Sequence, residues 1–488
     1  MSEHLIILAI IYPLFVGVLT ALLPSRPNRL AAWGIFHLLV ANVISSGLVF
    51  QALEQKEVLY LLSGWEAPLG IQLRASVFSA LLSWLISVVA LIGFIGGRDT
   101  WESQIGERLP HFLALFFLLV AAFQGLCLSN DAFNLYVMLE ISSLATYGLI
   151  AFGGGRAYLA TFHYIVMGTI GASFYLIGVG YLYIKTGTLN ITDLASILST
   201  TTWTESYILA LGFLVVGLLL KMAVFPLHLW LPNAYTYAPD ATSVLVAPLS
   251  TKLAVFLMFR VMMDIFGGSI SQVKPSWSLF MVLVASFGIL AGTSLSLAQR
   301  DIKKIFACLI VAEAGYMLGG LWMEDPRGTV GALFHLVNDA VATLVLFLVV
   351  IAVQTSVGGR NLGHISGLFR KSPLTSAALV VVAFNLIGVP PFAGFFSKVA
   401  LISGAIASGR PEFVVALLLA SLGNLVIFFR IIERAYFPSE EPFEVKIVRV
   451  KEADTIGLLA LAVGLFLIVL GLSSNLIMDL FIRPVVML

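Results

Sequence analysis

The sequence predicts an all-α polytopic membrane protein of about fourteen transmembrane helices, with two inverted five-helix repeats that contain broken helices. Three observations carry that prediction. Hydrophobic residues make up 60% of the 488 and charged residues only 11%, so most of the surface is solvated by lipid. Apolar stretches of the roughly 17–25 residues needed to cross the hydrocarbon recur from end to end. Two of those stretches are interrupted by proline-rich runs.

The stretches fall at 3–23, 30–52, 73–96, 111–129, 131–153, 159–184, 206–226, 241–265, 277–298, 302–323, 329–354, 373–404, 412–437 and 455–481. Continuous apolar runs specify helices, because barrel strands alternate with a period of two. The start of the chain lacks a basic n-region and a small-residue cleavage site, so the first span is expected to be retained. Basic residues concentrate in the loops after odd-numbered spans: Arg26, Arg29, Arg98, Arg108, Arg156, Arg300, Lys303, Lys304, Arg360, Arg370, Lys371, Arg434, Lys446, Arg449 and Lys451. The other loops hold Lys56, Arg74, Lys185, Lys274, Arg327 and Arg410. The positive-inside rule then places both termini on the non-cytoplasmic side; the expected location is the cell (inner) membrane of a prokaryote.

The first break lies in the seventh span, where Lys221 is followed by Pro226, Pro232 and Pro239; the second lies in the twelfth, at Gly388, Pro390 and Pro391 before Lys398. Proline removes a backbone donor and clashes with the preceding turn. Irregular backbone at membrane depth is tolerated only where it is buried in protein or lines a cavity. A spacing of five spans between breaks fits an inverted-repeat transporter. The expected division is a three-helix segment over 1–110, a first repeat over 111–265, a second over 277–437, and a cytoplasmic loop with a C-terminal helix over 438–488.

Five ionisable residues stand alone inside these stretches: Glu140, Lys221, Lys252, His335 and Lys398. Each costs about 2.5–3.5 kcal/mol at the bilayer centre on insertion scales. That cost is met when such groups face one another, or water, along an ion path. A carboxyl group's proton affinity is pushed one way by burial and the other by a cation, so a Glu140–Lys221 pair suits proton relay. The competing reading of Glu140 is a protonated acid bonded to a hydroxyl, and that of Lys252 is a lysine snorkelling to the interface. Buried lysines become reversible proton carriers. His335 is either a titrating group or a hydrogen-bonded core residue. Asp339, four residues on, shares its helical face and is placed to orient or balance it. Glu313, His228 and His163 are further relay candidates, the two histidines reading better as structural.

Other chemistries find no support. Cys127 and Cys308 lack metal-ligand spacing and imply no disulfide framework. There is no H-x-x-x-H, no G-x-S-x-G and no phosphate-cradling loop, Gly153 to Gly155 being a plain turn. Lys plus Arg (27) nearly balance Asp plus Glu (26), which argues against nucleic acid as a partner. The expectation is a transporter without cofactor or metal, and not an enzyme.

Six ordered motifs give the chain a resemblance. Glu140 in "NLYVMLE", "KMAVFPLHLWLP" over 221–232, Ser243 nine residues before Lys252, "LAQRDIKKIFA" over 297–307, "FHLVN" over 334–338 and "GVPPFAGFFSK" over 388–398 resemble the antiporter-like subunits. This family is shared by respiratory complex I, membrane-bound hydrogenases and Mrp-type multisubunit Na⁺/H⁺ antiporters. "WEAPLGIQL" over 65–73 and "STKLAVF" over 250–256 look most like the Mrp D subunit. The resemblance implies fourteen core helices and a hydrated midplane axis of lysines, histidines and glutamates. It implies Glu140 and Lys221 as the first half-channel pair, Lys252 and His335 as the connecting axis, and Lys398 as the exit side. It also implies partners: other membrane subunits, H⁺ and Na⁺, and the lipid bilayer.

Three positions depart from the family pattern. Tyr235 stands where many relatives place a second histidine. Asp339 replaces another histidine, and Thr343 a lysine. Either His335 and Asp339 carry the relay there, or water does, or the link is impaired. Four functions compete: an Mrp-type antiporter subunit, the membrane arm of a redox-driven complex such as NADH:quinone oxidoreductase, a self-sufficient carrier, and a structural scaffold. The carrier would need a substrate pocket beyond the ion line, and the scaffold leaves five costly charges unexplained.

Overall fold

The computed structural model describes residues 4–267, 274–437 and 451–486. Among them, eleven helices are long and apolar enough to cross a membrane. The remaining three of the fourteen predicted spans form shorter or interrupted helices. The N-terminal segment comprises α1 (Leu5–Ala21), α2 (Pro27–Gln55), the strands β1 (Glu57–Leu61) and β2 (Gln72–Ser76), and α3 (Val77–Gly97). The first repeat contains α4 (Leu109–Leu128), α5 (Ala132–Ala151), α6 (Arg156–Thr186), α7 (Glu205–Lys221) and α8 (Asp240–Arg260). The second contains α9 (Lys274–Leu297), α10 (Ile302–Trp322), α11 (Pro326–Val357), the interrupted crossing α12 (Pro373–Ile387) with α13 (Ala393–Ala407), and α14 (Pro411–Tyr436); α15 (Lys451–Leu472) follows. Most of the predicted 438–453 loop, with Lys446 and Arg449, lies outside the described residues.

The two repeats carry the same backbone device. Asp131 caps α5 by accepting from the Asn134 amide, and Asp301 caps α10 by accepting from the Lys304 amide. Just before α5, Asn130 O accepts from Ile191 N while Ala132 N donates to Leu189 O. Just before α10, Arg300 O accepts from Leu362 N while Ile302 N donates to Arg360 O. The long helices between these joints, α6 and α11, both end on left-handed glycines, Gly187 and Gly358, the residue type that tolerates that conformation at a helix end. Five crossings per repeat is an odd number, so the two joints lie on opposite faces of the membrane.

The third predicted span starts too early. Residues 72–76 pair antiparallel with 57–61 in a small hairpin, and α3 begins at Val77, capped by Ser76. Alternation within Gln72–Ser76, with Leu73 and Ala75 buried between half-buried neighbours, is the period-two signal of a strand. Lys303 is a second difference. Grouped with the loop cations by sequence, it is fully buried, with Nζ 2.7 Å from Asp240.

Both helix breaks are supplied with hydrogen-bond partners. At the first, the chain leaves α7 at Lys221, turns through Ala223 with a φ of 54°, and resumes as a short helix Leu231–Tyr237. The Trp230 indole donates to the freed Leu220 carbonyl at 3.2 Å and stacks on Tyr164. At the second, α12 stops on Gly388 with a φ of 92°, and Asn385 Oδ1 accepts from the Gly394 amide at the start of α13. A Cβ at Gly388 would lie 3.2 Å from the Lys398 side chain. Gly388→Ala should therefore lower stability by about 1–3 kcal/mol, the cost of holding a side chain in that backbone region. Thermal unfolding of the detergent-purified protein measures it.

Candidate functional site

The five predicted ionisable residues and their partners fall into four clusters. In the first, Lys221 is the last residue of α7, where unpaired carbonyls give the helix end a partial negative charge. Its Nζ donates to Ser143 Oγ at 2.7 Å and lies 3.6 Å from Glu140 Oε1. Glu140 and Ser143 are three residues apart on α5, and so share a face. The lysine is held by a hydroxyl and a carboxylate together.

The second cluster joins the repeats. Lys252 on α8 and Asp339 on α11 approach to 2.7 Å, each with a side chain only 1% exposed. Lys252 also donates to the Ala247 carbonyl and to Thr343 Oγ1, both at 3.2 Å, and Thr343 in turn donates to Asp339 Oδ1 at 3.0 Å. Two of the departures from the family pattern thus act together. This corrects the expectation that Asp339 balances His335. Asp339 does lie one turn away on the same helix, but its carboxylate is turned to Lys252.

The partner of His335 is Glu313. Its Nε2 is 2.7 Å from Glu313 Oε2 on α10, and its Nδ1 is 2.9 Å from Ser397 Oγ on α13. The fourth cluster centres on Lys398, which has no carboxylate within ion-pair distance among the described residues. Its Nζ donates to the carbonyls of Leu386 and Ile387, at 2.7 and 3.4 Å, and to Ser421 Oγ at 3.0 Å. The carbonyls left free where α12 breaks off serve as its ligands.

The residues treated as structural from sequence divide. His228 is buried beside Phe225, whereas His163 is exposed on the outer face of α6. Tyr235 is buried next to Trp230. Both cysteines are free and buried. No group of three or more His, Cys, Asp or Glu among the described residues could hold a metal ion.

Sequence reasoning missed Ser143, Ser397, Ser421 and Tyr316, each in contact with one of the predicted cations. Only Ser143 had a usable signal, one helical turn from Glu140. Asp240 was missed as well. Its carboxylate meets Lys303 and the Gln104 amide, 2.7 Å from each, beside an open cavity of about 460 Å³.

Residues 129–423 match the family described as NADH:quinone oxidoreductase/Mrp antiporter, transmembrane. The chain is 38% identical over 439 residues to the N subunit of an NADH-quinone oxidoreductase from Desulforudis audaxviator, covering 89% of this chain and 87% of that one. It is 32% identical over 440 residues to the D subunit of a Na⁺/H⁺ antiporter from Bacillus subtilis, covering 88% and 87%. Among solved structures, a chain of the Mrp complex from Dietzia sp. superposes with a TM-score of 0.87 at 24% identity, covering 98% of this chain and 96% of that one.

The Lys252–Asp339 contact can be tested apart from any function. Removing one member of a buried pair strands the other charge, at about 3–5 kcal/mol, whereas apolar replacement of both is often neutral. Lys252→Met alone should destabilise the protein by that amount. The double variant Lys252→Met/Asp339→Leu should recover most of it in equilibrium unfolding from mixed micelles.

Proposed function

Because the chain belongs to the NADH:quinone oxidoreductase/Mrp antiporter transmembrane family, we propose that it is the proton-translocating subunit of a multisubunit Mrp-type antiporter, exchanging a monovalent cation such as Na⁺ for H⁺. One observation carries the reading. Acids and bases from both repeats meet in pairs inside helices that composition alone makes insoluble in water. α10 from Ile305 to Trp322 and α11 from Gly328 to Val353 are buried throughout, yet they hold Glu313, His335 and Asp339. Ionisable groups at such depth are expensive and mark ion or proton routes.

The route runs from Glu140 and Lys221, through Lys252 and Asp339, to Glu313 and His335, and leaves by Lys398. A proton reaching Glu140 weakens its attraction for Lys221, which retains Ser143 as a neutral acceptor. Asp339 and Thr343 hold Lys252 at the joint between the repeats, where the family pattern has a histidine and a lysine. Charge passed across the joint reaches His335, whose imidazolium form Glu313 compensates. The repeats extend over 111–265 and 277–437, after an N-terminal segment over 1–110 and before a cytoplasmic loop and C-terminal helix over 438–488. The protein sits in the cell (inner) membrane of a prokaryote with both termini on the non-cytoplasmic side. It works among other membrane subunits, as a transporter and not an enzyme.

A second reading has its own support, the 38% identity to a subunit named for NADH-quinone oxidoreductase. In that reading the same relay is driven by electron transfer in partner subunits. Purification of the native complex separates the two: redox subunits in the preparation favour the second, and membrane subunits alone favour the first.

Glu140→Ala and Lys221→Ala should each reduce cation-dependent proton exchange in inverted vesicles to background while the assembled complex persists. Wild-type exchange in either variant removes the first pair from the route.

A further inference from the structure

The hydrogen bonds around His335 and those around Lys398 do not meet. From Glu313 the line passes to His335, then to Ser397 and the Gly394 carbonyl. Around Lys398 it passes to Leu386, Ile387 and Ser421. Between the two stands Tyr316, one turn along α10 from Glu313. The His335 ring packs edge-on against it, with centroids 5.3 Å apart and planes at 78°. The Lys398 ammonium lies over the face of the same ring, 5.4 Å from its centroid, within the range of an attractive cation–π contact.

The phenol hydroxyl is fully buried and has no hydrogen-bond partner among the described residues. Most buried polar groups are paired, and one that is not raises the free energy of the arrangement that strands it. Glu313 Oε1, on the same face of α10, also has no partner among the described residues. The ring position is thus held by contacts with both bases while its own hydroxyl goes unsatisfied.

We propose that Tyr316 is a side-chain gate between His335 and Lys398. This rests on the relay reading above and adds a control point to it. With the ring in the observed position, the ammonium and the imidazole are kept apart by an aromatic face and edge. Rotation of the phenol out of the gap lets its hydroxyl find a partner and lets the two bases exchange a proton. The proton leaves the His335 imidazolium, giving neutral imidazole beside Glu313, and lands on the neutral Lys398 amine as ammonium. Return of the ring then separates the product state. Tyr316 is a positioning residue in this scheme and carries no proton itself.

The test uses vesicles containing the full complex and measures two quantities: cation-dependent proton exchange, and passive proton leak with no exchangeable cation present. Tyr316→Phe keeps the ring but relieves the closed position of its stranded hydroxyl, so the gate stays shut more of the time. Exchange should slow by about fivefold or more, the population change that such a stranded group implies at the low end, with leak unchanged. Tyr316→Ala removes the barrier and should raise leak well above wild type while weakening the dependence on the cation. Wild-type exchange in Tyr316→Phe overturns the gate even where Tyr316→Ala does not assemble, and so does a Tyr316→Ala complex that assembles without leak. Lys398→Ala, run alongside, keeps the two ideas distinct. Loss of exchange there upholds the relay even if the gate fails, and wild-type exchange there overturns both.

Discussion

The contact between Lys252 and Asp339 is the constraint around which the rest of this molecule is arranged. It joins α8, the last crossing of the first repeat, to the middle of α11 in the second, at 2.7 Å and almost without exposure. Charges at that depth persist only when each lone pair and each N–H has a place to go. Thr343 and the Ala247 carbonyl complete the set. Enclosing it takes a helix of 32 residues whose stretch from Gly328 to Val353 is buried, wrapped by α8, α10, α13 and α15. The apolar bulk of the chain is the housing this pair needs.

Much of the fold was legible because oil imposes a strict grammar. Every predicted span corresponds to a helix, and the two proline-rich runs coincide with real interruptions near Lys221 and Lys398. The cations of the interior were also legible, since a lone lysine in a membrane stretch stands out. Their partners were not. Helical periodicity says which residues share a face, but the neighbouring helix decides which group a side chain meets. That is why Asp339, one turn from His335, answers to Lys252, and why Glu313 is the acid beside the histidine. Lys303 reads as a loop cation from its position after a polar joint, yet Asp240, 63 residues away, draws it inside. The hairpin at 57–76 was hidden because its second strand runs directly into an apolar helix.

The internal duplication was half visible. The breaks announced it, but the firmer mark is a pair of joints built from ordinary residues: Asp131 beside 189–191, and Asp301 beside 360–362. An aspartate cap and an isolated bridge carry no signal strong enough to notice in one sequence. The copies have also diverged where chemistry is concerned. Lys221 precedes its break and Lys398 follows its own. An indole serves the freed carbonyl in one half, and in the other a lysine does so together with the Asn424 amide.

That last difference has a mechanical consequence. At the end of α12 a single nitrogen both stores charge and splints the severed backbone. Hydrogen bonds from an ammonium are shorter and roughly twice as strong as those from a neutral donor. In the proposed relay, loss of the Lys398 proton would therefore slacken the splint. The charge of Lys398 and the geometry of the broken helix thus rest on the same atom.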